Sequence, residues 1–252
     1  MVVCVPSAVI YSAPELMAEQ VDEMLYGEEA EILEETGGFC RVRSDYGYGG
    51  WTLKTNLFEK LHDPSFIVVS SFADLLFDGK NYYHAPITLP RGARVDVGFG
   101  HDERYGFIVL PSKRIYFIHK KHIAPLKPAK TPSEDELRDM IVATAREYIG
   151  VQYRWGGRTP AGVDCSGLCF NAYRFNGLDI WRDADPEMNK NMKKIPFSEA
   201  KKGDLLFFGG HMAIYAGEGR IVHATAAEGK AVEAGLDSTG LKERLITAGT
   251  LF

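Results

Sequence analysis

Through the first half of the chain, apolar and polar residues alternate in short runs, the period of a strand with one buried face. Gly27-Glu28-Glu29-Ala30-Glu31-Ile32-Leu33 and Arg91-Gly92-Ala93-Arg94-Val95-Asp96-Val97 each set a turn before such a run. A later aromatic strand, Gly50-Trp51-Thr52-Leu53 or Ile115-Tyr116-Phe117-Ile118, is followed by a polar turn and one apolar residue, Leu57 or Ile123. The pattern predicts two copies of one small β unit, with Cys40 filling the core of the first. Pro14 to Tyr26 breaks the alternation, because Leu16, Val21, Met24 and Leu25 are spaced as on a short helix.

The period changes after Ala124-Pro125-Leu126-Lys127-Pro128-Ala129-Lys130-Thr131-Pro132, whose prolines suit neither a helix interior nor a central strand. Ser133 and Glu136 then make a capping box. Leu137, Met140, Ile141, Thr144 and Tyr148 follow on one helical face, up to Gly150. A glycine-rich loop, 151–163, leads to a second helix expected from about Asp164 to Phe175, closed by Asn176-Gly177. Short strands are expected at 205–208, 212–216 and 221–224. Helices first and an antiparallel sheet afterwards make an α+β domain. The division is 1–61 and 62–126 for the β units, the second more diverged, with a linker at 127–132 and the α+β domain at 133–252.

Composition narrows the function. The 252 residues carry a formal net charge of −5, which argues against nucleic acid or an anionic membrane as partner. No run of about 18 apolar residues is present to span a membrane, and the first residues lack the basic and apolar regions of a signal peptide. Cys4, Cys40, Cys165 and Cys169 are too sparse for a disulfide scaffold, so a cytoplasmic location is expected.

The candidate chemistry lies in the second half. Cys165, in Val163-Asp164-Cys165-Ser166-Gly167, falls at the first turn of a helix, where free N–H groups and the dipole favour a thiolate. His211 and His223 lie on consecutive strands joined at Gly217-Glu218-Gly219. A three-residue loop sets Ala216 against Arg220, His211 against Thr225 and His223 against Ala213. Both histidines then project from one face, whereas a two-residue loop would put them on opposite faces. A thiol, a base and a group to orient that base are the parts of a nucleophilic hydrolase. Zinc would lack a fourth ligand, and neither metal nor cofactor is expected. Trp51 and Trp155 read as packing residues.

These residues resemble the NlpC/P60 family of cysteine peptidases, papain-like in their core. The likeness runs through Tyr153-Arg154-Trp155-Gly156-Gly157, Asp164-Cys165-Ser166-Gly167, Gly203-Asp204-Leu205, His211-Met212-Ala213-Ile214-Tyr215 and His223-Ala224. Gly38-Phe39-Cys40-Arg41-Val42-Arg43 and Tyr46-Gly47-Tyr48-Gly49-Gly50-Trp51 are similar to a bacterial SH3 domain, which makes the two β units SH3-like barrels. The resemblance implies Cys165 as nucleophile, His211 as general base and acid, and His223 as the orienting group. It further implies γ-D-glutamyl-L-diamino-acid endopeptidase activity on murein peptides that begin with a free L-Ala. Asp164, Ser166, Tyr153, Tyr48 and Glu19 are the implied substrate-binding residues, in a monomer whose partner is the small peptide. Two alternatives stay open: a wall-lytic hydrolase or amidase anchored by its SH3 domains, and a catalytically silent wall-peptide binding module.

Overall fold

The computed structural model describes residues 1–77, 84–110, 113–127 and 130–252; Pro128 and Ala129 of the expected linker lie outside them. The chain forms two compact units, 1–129 and 130–252.

Unit 1 holds two β cores. In the first, an antiparallel sheet runs in the order Gln20–Leu25, Ser7–Tyr11, Gly49–Leu53, Phe39–Ser44, Ala30–Thr36. It encloses Val3, Ala8, Ile10, Met24, Cys40 and Val42. In the second, the order is His84–Pro90, Phe72–Leu76, Ile115–His119, Tyr105–Val109, Gly98–Phe99, and the core includes Val68, Leu75, Leu89, Val95, Ile108 and Ile118. The repeat extends to detail: each aromatic strand runs into a 3-10 turn, Lys54–Asn56 or Lys120–His122, and then into Leu57 or Ile123.

The helix expected between Pro14 and Tyr26 does not form. Gln20–Leu25 is a strand paired with Ser7–Tyr11, and Leu16 and Met17 are 61% and 93% exposed on the preceding turns. Asp22, Glu23, Met24 and Leu25 are all buried, so the strand has two covered faces and its alternation is lost. Asp22 sits there because the Tyr46 hydroxyl donates to it at 2.5 Å.

In unit 2, helix α1 (Glu134–Arg146) opens on the capping box of Ser133 and Glu136. Its buried face is Arg138, Ile141, Val142 and Ala145, rotated from the expected one, and Met140 is exposed. The reason is Arg138, which an apolar count passes over. Its guanidinium donates to Asp204 Oδ1 (2.8 Å), the Lys202 carbonyl (2.9 Å) and Thr250 Oγ1 (3.2 Å). Gly203, at φ +89°, lies so close that a Cβ would come 3.1 Å from the Arg138 backbone. Gly203-Asp204 is therefore a docking point for α1. Helix α2 (Cys165–Arg174) is buried along nearly its whole length.

Both helices pack on an antiparallel sheet ordered Lys193–Ile195, Leu245–Thr250, Leu205–Phe208, His211–Gly217, Arg220–Thr225, Lys230–Gly235. The hairpin carrying the histidines departs from expectation at its tip. Ile214 faces Val222 and Tyr215 faces Ile221, the register of a three-residue loop, but Gly217 then faces Arg220. Glu218 and Gly219, at φ 53° and 71°, are the two central residues of a tight primed turn, and the register shifts between Tyr215 and Gly217. One extra residue in the strand does what the longer loop was expected to do.

Candidate active site

The start of α2 is assembled around one carboxylate. Asp164 caps the helix, its Oδ1 accepting from Gly167 N at 2.6 Å, while Oδ2 accepts from Gly156 N at 2.8 Å. The Tyr153–Gly157 loop is thereby fastened to the helix that carries Cys165. Arg182, only 1% exposed, donates from Nη1 to Asp164 Oδ1 and from Nη2 to Oδ2, both at 3.1 Å, and from Nη1 to Ser166 Oγ at 2.8 Å. Ser166 Oγ also lies 3.3 Å from Asp164 Oδ1. Asp164 thus enters the site as one half of an ion pair that accepts five hydrogen bonds within this unit.

Across from this helix, the His211–Gly217 strand packs on α2. His211 Nε2 is 2.9 Å from His223 Nδ1, and the two rings meet edge to face at 5.1 Å. With Nε2 engaged, Nδ1 is the His211 nitrogen left for a thiol. If Nδ1 is to accept the thiol proton, neutral His211 carries its hydrogen on Nε2 and donates it to His223 Nδ1. His223 is 3% exposed and His211 half-buried.

The resting protonation follows from burial. Burial and then the Asp164 charge push Cys165 up to about 11, opposed by the Met212 and Ser166 N–H groups and by Arg182. The helix start was expected to favour the thiolate. Its N–H groups do so, but at 6% exposure desolvation outweighs them. Burial likewise draws His211 and His223 down to about 4, with the neighbouring imidazole adding to the effect at His211. The free site therefore holds a neutral thiol and two neutral imidazoles. Tyr153, held up at about 12 by burial and then by the charges of Cys165 and Asp164, keeps its hydroxyl proton beside the thiol. Cys169 is fully buried one turn further along α2 and is pushed well above the ordinary thiol range by burial.

These shifts carry a stability prediction. Two histidines that fold neutral regain their ordinary affinity for protons, 6.5, on unfolding. Unfolding is favoured as pH falls from about 6.5 to about 4, and stability should drop there by on the order of 3 kcal/mol for each histidine. Urea unfolding at pH 7.5 and 4.5 should show a smaller drop in His223→Asn than in the parent; equal drops would contradict the neutral pair.

Of the residues expected at the site, Tyr153, Asp164, Cys165 and Ser166 lie together at the start of α2, and His211 and His223 pair on strands that pack on that helix, all in unit 2. Tyr48 and Glu19 lie in unit 1, where Tyr48 is half-buried and bonded through its backbone to Ser44, and Glu19 is exposed. Trp155, expected to pack, is 60% exposed. Arg182 was missed: a single arginine after Leu178-Asp179-Ile180-Trp181 gives no local signal of where its side chain ends.

A thiol on a helix start, packed on the strand of a histidine whose ring nitrogen is held by another imidazole, is the arrangement of a papain-like cysteine peptidase. Residues 150–250 match the NlpC/P60 family, and residues 6–57 match the bacterial SH3 domain. Dipeptidyl-peptidase 6 of Lysinibacillus sphaericus is 36% identical over 227 residues, spanning 86% of this chain and 84% of its own. The γ-D-glutamyl-L-lysine dipeptidyl-peptidase of Bacillus subtilis (strain 168) is 28% identical over 84% of this chain and 74% of its own. A solved NlpC/P60 family protein from Bacillus cereus ATCC 10987 has the same fold, with a TM-score of 0.85 over 98% of this chain and 97% of that one at 20% identity. The chain belongs to the NlpC/P60 family, as a cysteine peptidase with a bacterial SH3 domain in front of its catalytic domain.

Proposed function

We propose that the protein hydrolyses the amide between γ-D-Glu and the L-diamino acid of short murein peptides with a free N-terminal L-Ala. It releases L-Ala-γ-D-Glu for reuse in the cytoplasm. The observation that carries this reading is the match to dipeptidyl-peptidase 6, which runs through the SH3 half as well as the catalytic half. A likeness confined to the catalytic domain would fit a wall-lytic enzyme equally well. The intact Cys165, His211 and His223 speak against a silent binding module.

In the reaction, His211 Nδ1 takes the Cys165 proton as the sulfur attacks the γ-carbonyl carbon. The tetrahedral intermediate collapses, the C–N bond breaks, and the departing amine takes the proton back from His211. A thioester of L-Ala-γ-D-Glu is left on Cys165. Water, deprotonated by His211, then attacks the thioester, the C–S bond breaks, and the departing sulfur takes the proton back from His211. All three groups come from one chain, and we assign the activity to the monomer. Tyr153, Asp164 and Ser166 beside the thiol are the residues we assign to the free end of the peptide.

An ammonium has three donors, and leaving one buried without an acceptor costs about 1–3 kcal/mol. N-acetylation removes the charge and two of the donors, so the acetylated form of L-Ala-γ-D-Glu-L-Lys should be cleaved at least about ten-fold more slowly than the free peptide. Intact sacculi should not be lysed. Equal cleavage of both peptides, or lysis of sacculi without cleavage of the tripeptide, would overturn the reading in favour of a wall-lytic hydrolase.

A further inference from the structure

Three segments meet at the Asp164 carboxylate: the loop before α2 through Gly156 N, the helix start through Gly167 N, and the 178–183 segment through Arg182. Arg182 itself is fixed from behind. The next-door Trp181 N donates to Asn189 Oδ1 at 2.7 Å, and Asn189, 6% exposed, donates back to the Asp185 carbonyl at 2.9 Å. The helix start leaves room for the fork. A Cβ on Gly167 would lie 2.9 Å from Asp164 Oδ1 and 3.2 Å from Arg182 Nη2, and 2.3 Å from the Gly157 carbonyl. A side chain there would push the pair apart.

We infer that Arg182 is the positioning residue of the nucleophile: it locks Asp164 across three segments and cancels the carboxylate's charge beside the Cys165 thiol. This rests on Cys165 as nucleophile and adds the device that keeps it usable. A buried carboxylate one residue from a sulfur opposes thiolate formation, and an opposing charge placed on both of its oxygens removes most of that opposition. Only a guanidinium spans both oxygens and a hydroxyl at once; an ammonium is a point charge. The directions at the site agree, since the Asp164 charge raises Cys165 and Arg182 lowers it. The other groups facing the thiol are Tyr153 from the preceding loop, Cys169 along α2 and the N–H groups of Met212 and Ser166.

The test is the pH profile of iodoacetamide labelling at Cys165, read by mass mapping of the full chain, with thermal unfolding as a check on folding. In the parent, loss of peptidase activity should track labelling of Cys165. Activity that survives full labelling would sink the nucleophile assignment itself, independently of Arg182. In Arg182→Gln the midpoint of the profile should rise by about one pH unit or more. In the doubly neutral Asp164→Asn/Arg182→Gln it should return towards the parent value, which a purely structural role for Arg182 would not produce. A folded Arg182→Gln with the parent profile, or a double variant no lower than the single one, overturns the inference. Should Arg182→Gln fail to fold, Arg182→Lys is read instead: a smaller rise supports the inference, and an unchanged or lower midpoint overturns it.

Discussion

Cys165→Ala should remove peptide hydrolysis, lowering kcat by on the order of 10⁴-fold or more, with the fold intact. No second thiol can take its place. Cys169 is one turn away but fully buried, its neutral form favoured more strongly still. Cys4 and Cys40 both lie in the other unit, Cys40 in its first core. A truncated sulfur at 6% exposure leaves only a small void, so a cost to stability of about 1 kcal/mol is expected. Steady-state hydrolysis of L-Ala-γ-D-Glu-L-Lys, run alongside thermal unfolding, separates the two effects. A variant that folds normally and keeps a tenth of the parent rate would mean that another group attacks the carbonyl.

The histidines should separate by size of effect. In the proposed mechanism His211 moves a proton in both halves of the reaction, so His211→Ala should cost on the order of 10³-fold or more in kcat. His223 acts on it only through the 2.9 Å contact between Nε2 and Nδ1. His223→Ala should therefore be milder by one to two orders of magnitude, as for an orienting group in a hydrolase triad. Chemistry should decide what rescues it. In the proposed mechanism His211 donates from Nε2, so the replacement must accept, and the carbonyl oxygens of Asn or Gln can do so. His223→Gln or His223→Asn should recover part of what His223→Ala loses. Equal losses at both positions, with no recovery in the amide variants, would show that the order of the triad is reversed.

The signals that were legible in the sequence are local. Ser133 with Glu136 and Asp164 before Cys165 mark helix starts by chemistry confined to one turn, and both caps form as read. The two histidines were placed on one face by a register that holds at Ile214 and Tyr215. What was not legible depends on what lies opposite. The Gln20–Leu25 strand is covered on both faces, and its apolar spacing imitates a helix because Asp22 and Glu23 are buried too. The rotation of α1 turns on Arg138 reaching Asp204, 66 residues away. The acidity of Cys165 turns on how completely the sulfur is covered, which a helix start alone does not reveal. Arg182 reaches Asp164 from beyond the end of α2, in a segment without regular structure. The flanking strands Lys193–Ile195, Lys230–Gly235 and Leu245–Thr250, also unread, are short and largely polar or small in side chain, and they take their shape from their neighbours in the sheet.

The most direct measurement is to catch the intermediate. Enzyme mixed with L-Ala-γ-D-Glu-L-Lys and quenched in acid within the first turnovers should carry the mass of one L-Ala-γ-D-Glu acyl group, bound through a thioester. On proteolysis, the adduct should map to the segment containing Cys165 and be lost on treatment with hydroxylamine, while free lysine appears in a matching burst. An adduct on any other residue, or release of L-Ala in place of lysine, would contradict the account.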